Sequence, residues 1–391
     1  MRIAIFTDTY PPFINGVSTS TYNLVKILNT YGHETIVVTP NGEGNTFEYK
    51  DGVIYIPGIE MKKLYGYRIT TLFSKKAFEI IKEFKPDLIH YQTDFTIGQF
   101  ARMVAKRLKV PLVYTYHTSY EDYTYYVTRG FLDRAAKKTI RAYTKYVASH
   151  VAEIISPSYK TKDFMRSVGY DTYVNIVPTG IDFSLFDEAK FDKEKAKEFK
   201  ISHGINENSK IILILGRLAK EKSMDVSIRC FAHYIKTYPE KDFKLLIVGG
   251  GPARSELELL VHELGISNNV IFVGPVKASE VPFYYHLSDI YTSASVTETQ
   301  GLTFMEAMSA KTIVVARFDD NLSGTIKEGE TGFFFTDEKS FLEKIDYIFS
   351  LSKEEKEKII NNALTIVDKY SLEKFYLNII EVYKRATRKY W

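Results

Sequence analysis

Short apolar runs rich in β-branched residues alternate with longer segments of helical period, and the alternation starts twice along the chain. The first series opens with "RIAIFTD", passes through a loop and the amphipathic stretch "TSTYNLVKILNTYGHE", and reaches "TIVVTP". Apolar spacing that goes from strand-like to a 3.6 period and back is a βαβ unit. Further runs follow at "GVIYIPG", "PDLIHY", "VPLVYTYH", "AEIISPS" and "NIVPTG". After the charged helical segment "FDEAKFDKEKAKEFKISHGI" the pattern restarts with "KIILILGRL", "FKLLIVGGGP", "NVIFVGPV", "DIYTSAS", "TIVVARFD" and "TGFFF". Such strands are buried on both faces, which calls for a parallel sheet covered by helices. The fold class expected is α/β, with two successive Rossmann-like halves and a cleft between them.

The halves divide near residues 179 to 183, where "VPTGIDFSLF" supplies Pro178 and Gly180. Residues 1–179 are assigned to the first domain and 180–370 to the second, with 371–391 forming a terminal amphipathic helix, "LEKFYLNIIEVYKRATRKYW". A length of 391 residues fits two ordinary domains, and 45% hydrophobic with 26% charged residues is a globular composition. Aromatics at 14% suit either a core or a membrane interface. The single cysteine, Cys230, sits in an apolar stretch and reads as a small buried hydrophobe in a reducing compartment. The first residues turn polar too soon for a signal peptide, and no run of apolar residues is long enough to span a bilayer, so a cytosolic protein is expected.

Charge is unevenly spread. Residues 1–180 carry 23 Lys and Arg against 16 Asp and Glu, a net of +7, which leaves −3 for the rest. The first half therefore faces something anionic, nucleic acid or a lipid surface. No helix-turn-helix, zinc finger or RNP-like stretch accompanies the charge, and nucleic acid is set aside as a partner.

Glu298 and Glu306 stand in "SVTETQGLTFMEAMSA" with Gly301 between them. Eight residues of one helix turn through about 800°, leaving the two side chains about 80° apart, so a shared helical face does not explain the pair. The better reading puts Glu298 at the end of a loop after "DIYTSAS" and starts a helix near Gly301, whose free N–H groups attract phosphate. Carboxylates beside such a site accept hydrogen bonds from sugar or ribose hydroxyls. Arg217 and Lys222 in "LGRLAKEK" follow an apolar strand and supply positive charge for a diphosphate leaving group. In the first half, His117 follows "PLVYTY", where its imidazole reaches a sugar hydroxyl or the reacting centre, or serves structure alone. Asp8 ends the first strand as an acceptor-site contact or as a turn former. The run "GGGPAR" fails the dinucleotide spacing because Arg254 occupies the last glycine position, and a tight strand-to-helix turn explains it. No metal-ligating motif is found.

These motifs together resemble the retaining glycosyltransferases of the GT-B fold, two Rossmann-like domains facing each other across a cleft. The E-x7-E pair, "LGRLAKEK" and the run "FVGPVKASEVPFYYHLSDIYTSAS" carry the likeness, and "DTYPPFINGVS" resembles the family's glycine loop, with Asn15 where many members have a first glycine. "YHTSYEDYTYYV" with "TETQGLT" is similar to bacterial 1,2-diacylglycerol 3-glucosyltransferases, the monoglucosyldiacylglycerol synthases. The resemblance implies glucose transfer from UDP-glucose to the free hydroxyl of diacylglycerol with retention of the α configuration, and a terminal helix that crosses back to the first domain. His117 and Glu298 would be catalytic. Gly16, Arg217, Lys222, Val276, Gly301, Leu302, Thr303 and Glu306, with Glu298, would bind the donor. Asp8, Tyr120 and Glu121 would shape the acceptor site. No essential cofactor is implied, Mg2+ being at most a stimulant.

In that family "KKLYGYRITTLFSKKAFEIIKEFK", residues 62–85, is a membrane-seeking segment. Read as a helix from about Ile69, its apolar residues gather broadly on one side, as they also do in a core-facing helix. The residues expected to meet anionic lipid are Lys62, Lys63, Arg68, Leu72, Phe73, Lys75, Lys76, Lys82 and Lys85, placing the enzyme peripherally on the cytoplasmic face of the membrane. Two alternatives stand beside this reading: a lipid- or nucleotide-binding module without turnover, and a related glycosyltransferase using UDP-galactose, GDP-mannose or another acceptor.

Overall fold

The computed structural model describes residues 1–13, 15–42, 44–61, 68–117, 133–170, 173–296, 298 and 300–390. The chain forms two compact units, Met1–Gly180 together with Leu372–Trp391, and Ile181–Ser371.

In the first unit the strands are β1 (Arg2–Phe6), β2 (Glu34–Pro40), β3 (Glu48–Lys50), β4 (Val53–Ile56), β5 (Gly58–Glu60), β6 (Arg68–Thr70), β7 (Leu88–Tyr91), β8 (Leu112–Thr115), β9 (Glu153–Ser156) and β10 (Asn175–Ile176). Its helices are α1 (Gly16–Thr30), α2 (Lys75–Phe84), α3 (Thr96–Leu108), α4 (Asp133–Ala148) and α5 (Tyr159–Ser167). Eight strands make one sheet in the order β10-β9-β8-β7-β1-β2-β4-β3, parallel except for the antiparallel edge strand β3. The second unit holds helices α6 (Lys193–Ser202), α7 (Met224–Thr237), α8 (Arg254–Glu263), α9 (Val281–Leu287), α10 (Leu302–Ser309), α11 (Glu338–Ser350) and α12 (Lys353–Val367). Its strands β11 (Lys210–Leu215), β12 (Phe243–Val248), β13 (Val270–Gly274), β14 (Ile290–Ser293), β15 (Ile313–Arg317) and β16 (Phe333–Phe335) form a wholly parallel sheet ordered β13-β12-β11-β14-β15-β16. The last helix, α13 (Leu372–Tyr390), belongs to the first unit.

Strand β1 shows why the sequence reads as continuously apolar. Ile3 and Ile5 pack on one face, with residues of α1 and α13 such as Leu24 and Ile379. Ala4 and Phe6 pack on the other, with residues of α2 and α3 such as Ile81 and Phe100. Period-two alternation still operates, but both faces are covered, so every position must be apolar. Strand β11 repeats the logic, with Ile212 and Ile214 on one face and Ile211 and Leu213 on the other. Each such side chain contributes roughly 1.5–3 kcal/mol by burial.

Each sheet reverses its direction of growth once. In the first unit the chain builds outward from β1 to β2 and β4, then returns to lay β7 on the other side of β1. In the second unit it builds from β11 to β12 and β13, then returns with β14. The loops leaving the carboxyl ends of β1 and β7, and of β11 and β14, therefore part in opposite directions and leave a crevice in each unit.

The segment read as one helix from Ile69 folds differently. Arg68–Thr70 is strand β6, with Ile69 opposite Ile59 of β5, and the helix starts only at Lys75, where the Ser74 hydroxyl accepts the Ala77 N–H at 3.3 Å. The reason is tertiary: the Arg68 Nη1 donates to the carbonyls of Asn41 (2.5 Å) and Gly44 (2.8 Å), which holds the chain extended.

Candidate active site

In the second unit, β11 ends at Leu215 and the next residues carry the first cation. Gly249, after β12, has φ 139°, and a Cβ there would lie 1.9 Å from the Gly216 carbonyl oxygen. Only glycine lets these two loops touch backbone to backbone, and the contact is laced by Leu218 N to Gly250 O at 2.9 Å and Ala253 N to Leu218 O at 3.0 Å. The glycine run is thus a structural turn that fixes where Arg217 begins. The Arg217 guanidinium pairs with the Glu221 carboxylate, and the Lys222 Nζ lies 2.7 Å from Glu298 Oε1. Both pairs are partly shielded, with Glu221 and Glu298 side chains 9% and 13% exposed.

Glu298 stands in the loop after β14, and Gly301 is the N-cap of α10 in the left-handed region, φ 72°, where a Cβ would meet Leu322 at 2.8 Å. No side chain caps α10 among the described residues and its first turn holds no acid, so the N–H groups at Leu302 and Thr303 are available to an anion. Glu306, further along α10, accepts a hydrogen bond from the Tyr285 hydroxyl at 3.1 Å. Burial pushes its carboxyl up to about 7 despite that bond. Val276 lies in the loop after β13, partly buried against the core of the unit.

In the first unit, Asp8 follows β1 and is 2% exposed. Its N–H donates to the Thr93 hydroxyl at 2.8 Å, while among the described residues neither carboxylate oxygen meets a donor in hydrogen-bonding geometry. Burial raises its carboxyl to about 6, opposed by the nearby Thr93 hydroxyl and the N–H groups of Ile97 and Phe95. His117 follows β8, and its Nε2 is 2.7 Å from Gln92 Oε1. Burial lowers His117 to about 4 and His90 to about 3, so both imidazoles are neutral at physiological pH. Gly16 is the exposed first residue of α1, and Asn15, standing where a glycine was looked for, caps that helix by accepting the Ser18 N–H at 2.8 Å.

Tyr120, Glu121, Lys62 and Lys63 lie outside the described residues. Lys75, Lys76, Lys82 and Lys85 are exposed, but the apolar side of α2 does not face solvent: Ala77 and Ile81 are buried, and Phe78, Ile80 and Phe84 pack on the core. Phe73, looked for at a lipid surface, instead meets Phe100 edge-on at 5.5 Å with the Arg107 guanidinium over its ring. Arg68 is spent on the carbonyls of Asn41 and Gly44. Among the described residues of this region, the exposed large apolar side chains are Leu72 and the cross-strand pair Ile59 and Ile69.

Five residues of these clusters escaped the sequence reading: Glu221, Tyr285, His90, Gln92 and Asp94. "HYQTDF" directly after an apolar strand was the available signal for the last three. Asp94 is 3% exposed, accepts a hydrogen bond from the Tyr114 hydroxyl, and is pushed up to about 7, first by burial and then by Asp8.

Comparison with known proteins gives these clusters a context. The model of glycosyl transferases group 1 matches residues 195–365, and that of glycosyltransferase family 4 matches residues 14–185. The α-monoglucosyldiacylglycerol synthase of Acholeplasma laidlawii is 35% identical over 89% of this chain and 88% of that protein. The chain is a GT-B glycosyltransferase. A second α-monoglucosyldiacylglycerol synthase, from Streptococcus pneumoniae, is 33% identical over 86% of this chain and 75% of its own length. The fold of this glycosyltransferase matches sucrose-phosphate synthase from Thermosynechococcus elongatus with a TM-score of 0.74 at 19% identity, over 98% of both chains. It also matches Anabaena HepE in complex with UDP-glucose, TM-score 0.74 at 17% identity, over 98% of this chain and 99% of that one. As a member of this family the chain is a sugar-transferring enzyme, and among its described residues no helix is long and apolar enough to cross a membrane.

The raised carboxyls give the glycosyltransferase a testable pH signature. Asp94 holds its proton to higher pH in the folded enzyme than in the unfolded chain, so its contribution to stability falls as pH rises from about 4 to about 7. Asp94→Asn keeps an acceptor for Tyr114 and removes the titration. Urea unfolding should find the variant more stable than the parent at pH 8, by on the order of a few kcal/mol, with the difference vanishing near pH 4.

Proposed function

We propose that this enzyme moves glucose from UDP-glucose to the 3-hydroxyl of 1,2-diacylglycerol with retention, making α-monoglucosyldiacylglycerol and UDP. The observation that carries the reading is the cluster at the second crevice: two cations, a carboxylate and an uncapped helix start meet where a nucleotide sugar offers diphosphate and hydroxyls. Support for this acceptor comes from the two synthases, 35% and 33% identical over 89% and 86% of this chain.

The roles divide by chemistry. Arg217 and Lys222 stabilise the diphosphate as its bond to glucose breaks, which is the main electrostatic demand of the reaction. Glu298 accepts hydrogen bonds from glucose hydroxyls and Glu306 from the ribose. Gly16, Val276, Gly301, Leu302 and Thr303 line the donor, the N–H groups of α10 meeting phosphate. Neutral His117 accepts a hydrogen bond from a hydroxyl beside the reacting carbon. Asp8, with Tyr120 and Glu121, forms the acceptor end. The acceptor oxygen bonds to the anomeric carbon on the face the diphosphate leaves, and the departing phosphate oxygen takes the acceptor's proton. Charge comes from protein groups, so turnover should survive a chelator, with Mg2+ at most a stimulant.

Glu298→Gln should lower turnover by about 100-fold or more while leaving UDP affinity within a few-fold, whereas Arg217→Ala should weaken both. Calorimetry with UDP and steady-state rates separate the two. A glucosylated Glu298 peptide in a mass spectrum would replace same-face attack by double displacement.

The acceptor and the sugar are tested by offering UDP-glucose, UDP-galactose and GDP-mannose with dispersed diacylglycerol in EDTA, and reading the product's anomeric coupling by NMR. An α-glucosyl lipid is expected. UDP-glucose that binds without releasing UDP to any lipid would reduce the chain to a binding module, and a galactosyl or mannosyl product would move it to the alternative donor.

The enzyme reaches its acceptor at the cytoplasmic membrane surface, held peripherally by exposed lysines of α2 and by Leu72, Ile59 and Ile69. Each basic residue near an anionic leaflet is worth about 1 kcal/mol. Replacing Lys75, Lys76, Lys82 and Lys85 with Gln should weaken co-sedimentation with phosphatidylglycerol vesicles at low salt and remove most of its salt dependence. Undiminished pelleting of the variant would rule the lysines out.

A further inference from the structure

His117 is one end of a buried chain of polar side chains that runs to the last helix. Its Nε2 meets Gln92 Oε1 at 2.7 Å. Gln92 Nε2 stands against His90, whose Nε2 meets the Thr115 hydroxyl and whose Nδ1 meets the Tyr383 hydroxyl of α13, both at 2.7 Å. His90, Thr115 and Tyr383 are all essentially inaccessible to solvent, at 0%, 5% and 0% exposure. The chain borders a cavity of about 10 Å³, lined on its polar side by Ser20 and Thr179 and on the other by Phe375 and Ile379 of α13.

The Gln92 amide can be oriented by argument. Its Nε2 is 3.1 Å from His90 Nε2 and 3.3 Å from His90 Nδ1. An atom nearly equidistant from both ring nitrogens at that range lies over the ring face, since an in-plane approach would collide with the carbon between them. The two in-plane positions are already taken by Thr115 and Tyr383. The electron-rich face of a neutral imidazole favours an N–H and repels a carbonyl oxygen. The amino end of Gln92 therefore belongs over His90 and the oxygen end toward His117. An oxygen that only accepts obliges the His117 Nε2 to donate, and a neutral imidazole then has its bare lone pair on Nδ1. That nitrogen has no hydrogen-bond partner among the described residues.

We propose that Gln92 is a positioning residue for His117: held over His90, which Tyr383 anchors, its amide dictates that Nε2 of His117 carries the proton and leaves Nδ1 as the acceptor. The consequence for turnover rests on His117 contacting substrate as assigned above, whereas the tautomer itself does not. Thr115 and Tyr383 contribute by occupying the His90 nitrogens, so that its ring cannot turn and present an edge to Gln92.

The experiment reads tautomer and rate separately. Long-range 1H–15N correlation on 15N-histidine enzyme, with His117→Ala identifying the resonance, should find His117 protonated at Nε2 and bare at Nδ1. Gln92→Met, nearly isosteric but without an acceptor oxygen, should give a mixture of tautomers. It should also lower kcat by about 10- to 100-fold, with KM for UDP-glucose changed less than about threefold. The tautomer ratio is a readout that a merely structural role for Gln92 would not move. A parent enzyme protonated at Nδ1, or an unchanged tautomer in Gln92→Met, overturns the proposal. A shifted tautomer with unchanged kcat upholds the positioning and removes His117 from the catalytic assignment.

Discussion

A parallel strand can be followed only by a crossover, and successive crossovers of one hand must move across a sheet in one direction until the chain returns to its starting strand. Both units obey this, and both return once, beside β1 and beside β11. The point of return is the one place in each sheet where neighbouring loops separate. Asp8, Gln92 and Asp94 crowd that point in the first unit, and Arg217, Lys222 and Glu298 in the second. The chemistry of the enzyme is in this sense a consequence of strand order: polar side chains gather where the backbone cannot close over itself.

Crowding polar groups at a covered crevice has an electrostatic cost, which the two units meet in different ways. In the second unit the cations are matched, Arg217 to Glu221 and Lys222 to Glu298, while Glu306 is left with its carboxyl pushed up to about 7 by burial. In the first unit the imidazole charges are suppressed and the carboxylate charges weakened. His90 and His117 are held neutral, and Asp8 and Asp94 keep protons well above the usual carboxylate range. A diphosphate needs fixed positive charge, whereas an uncharged hydroxyl needs only a hydrogen-bond partner. The contrast matches the proposed division of labour, with the donor on one unit and the acceptor on the other.

Much of the fold was legible because strands buried on both faces must be apolar at every position, and runs such as "KIILILGRL" are short, β-branched and bounded by turn residues. Gly301, Glu298 and Arg217 were legible because they follow such strands within a few residues. Other features depended on distant partners. Ile69 fits a helical period as well as a strand, and the choice was made by carbonyls at Asn41 and Gly44 that hold Arg68. Gln92 is one unremarked amide in the sequence, and its role depends on His117, 25 residues later, and through His90 on Tyr383, 293 residues beyond that histidine. Asp94 gained its raised carboxyl from the cover of its neighbours and from Asp8, against the pull of the Tyr114 hydroxyl, none of which has a local signature.

Helix α13 begins at Leu372 and completes the hydrophobic layer under β1 with Phe375, Ile379, Ile380 and Tyr383. The first unit is therefore drawn from two separated stretches of the sequence, with the second unit lying between them. A ribosome delivers β1 before the second unit, and the strand face that packs on α1 is completed only when α13 follows, more than 340 residues after α1. The second unit is contiguous and can close as it emerges, while its neighbour waits. The order of synthesis and the order of completion are thus opposite, and during that interval the growing chain carries a sheet face whose apolar cover is only half built.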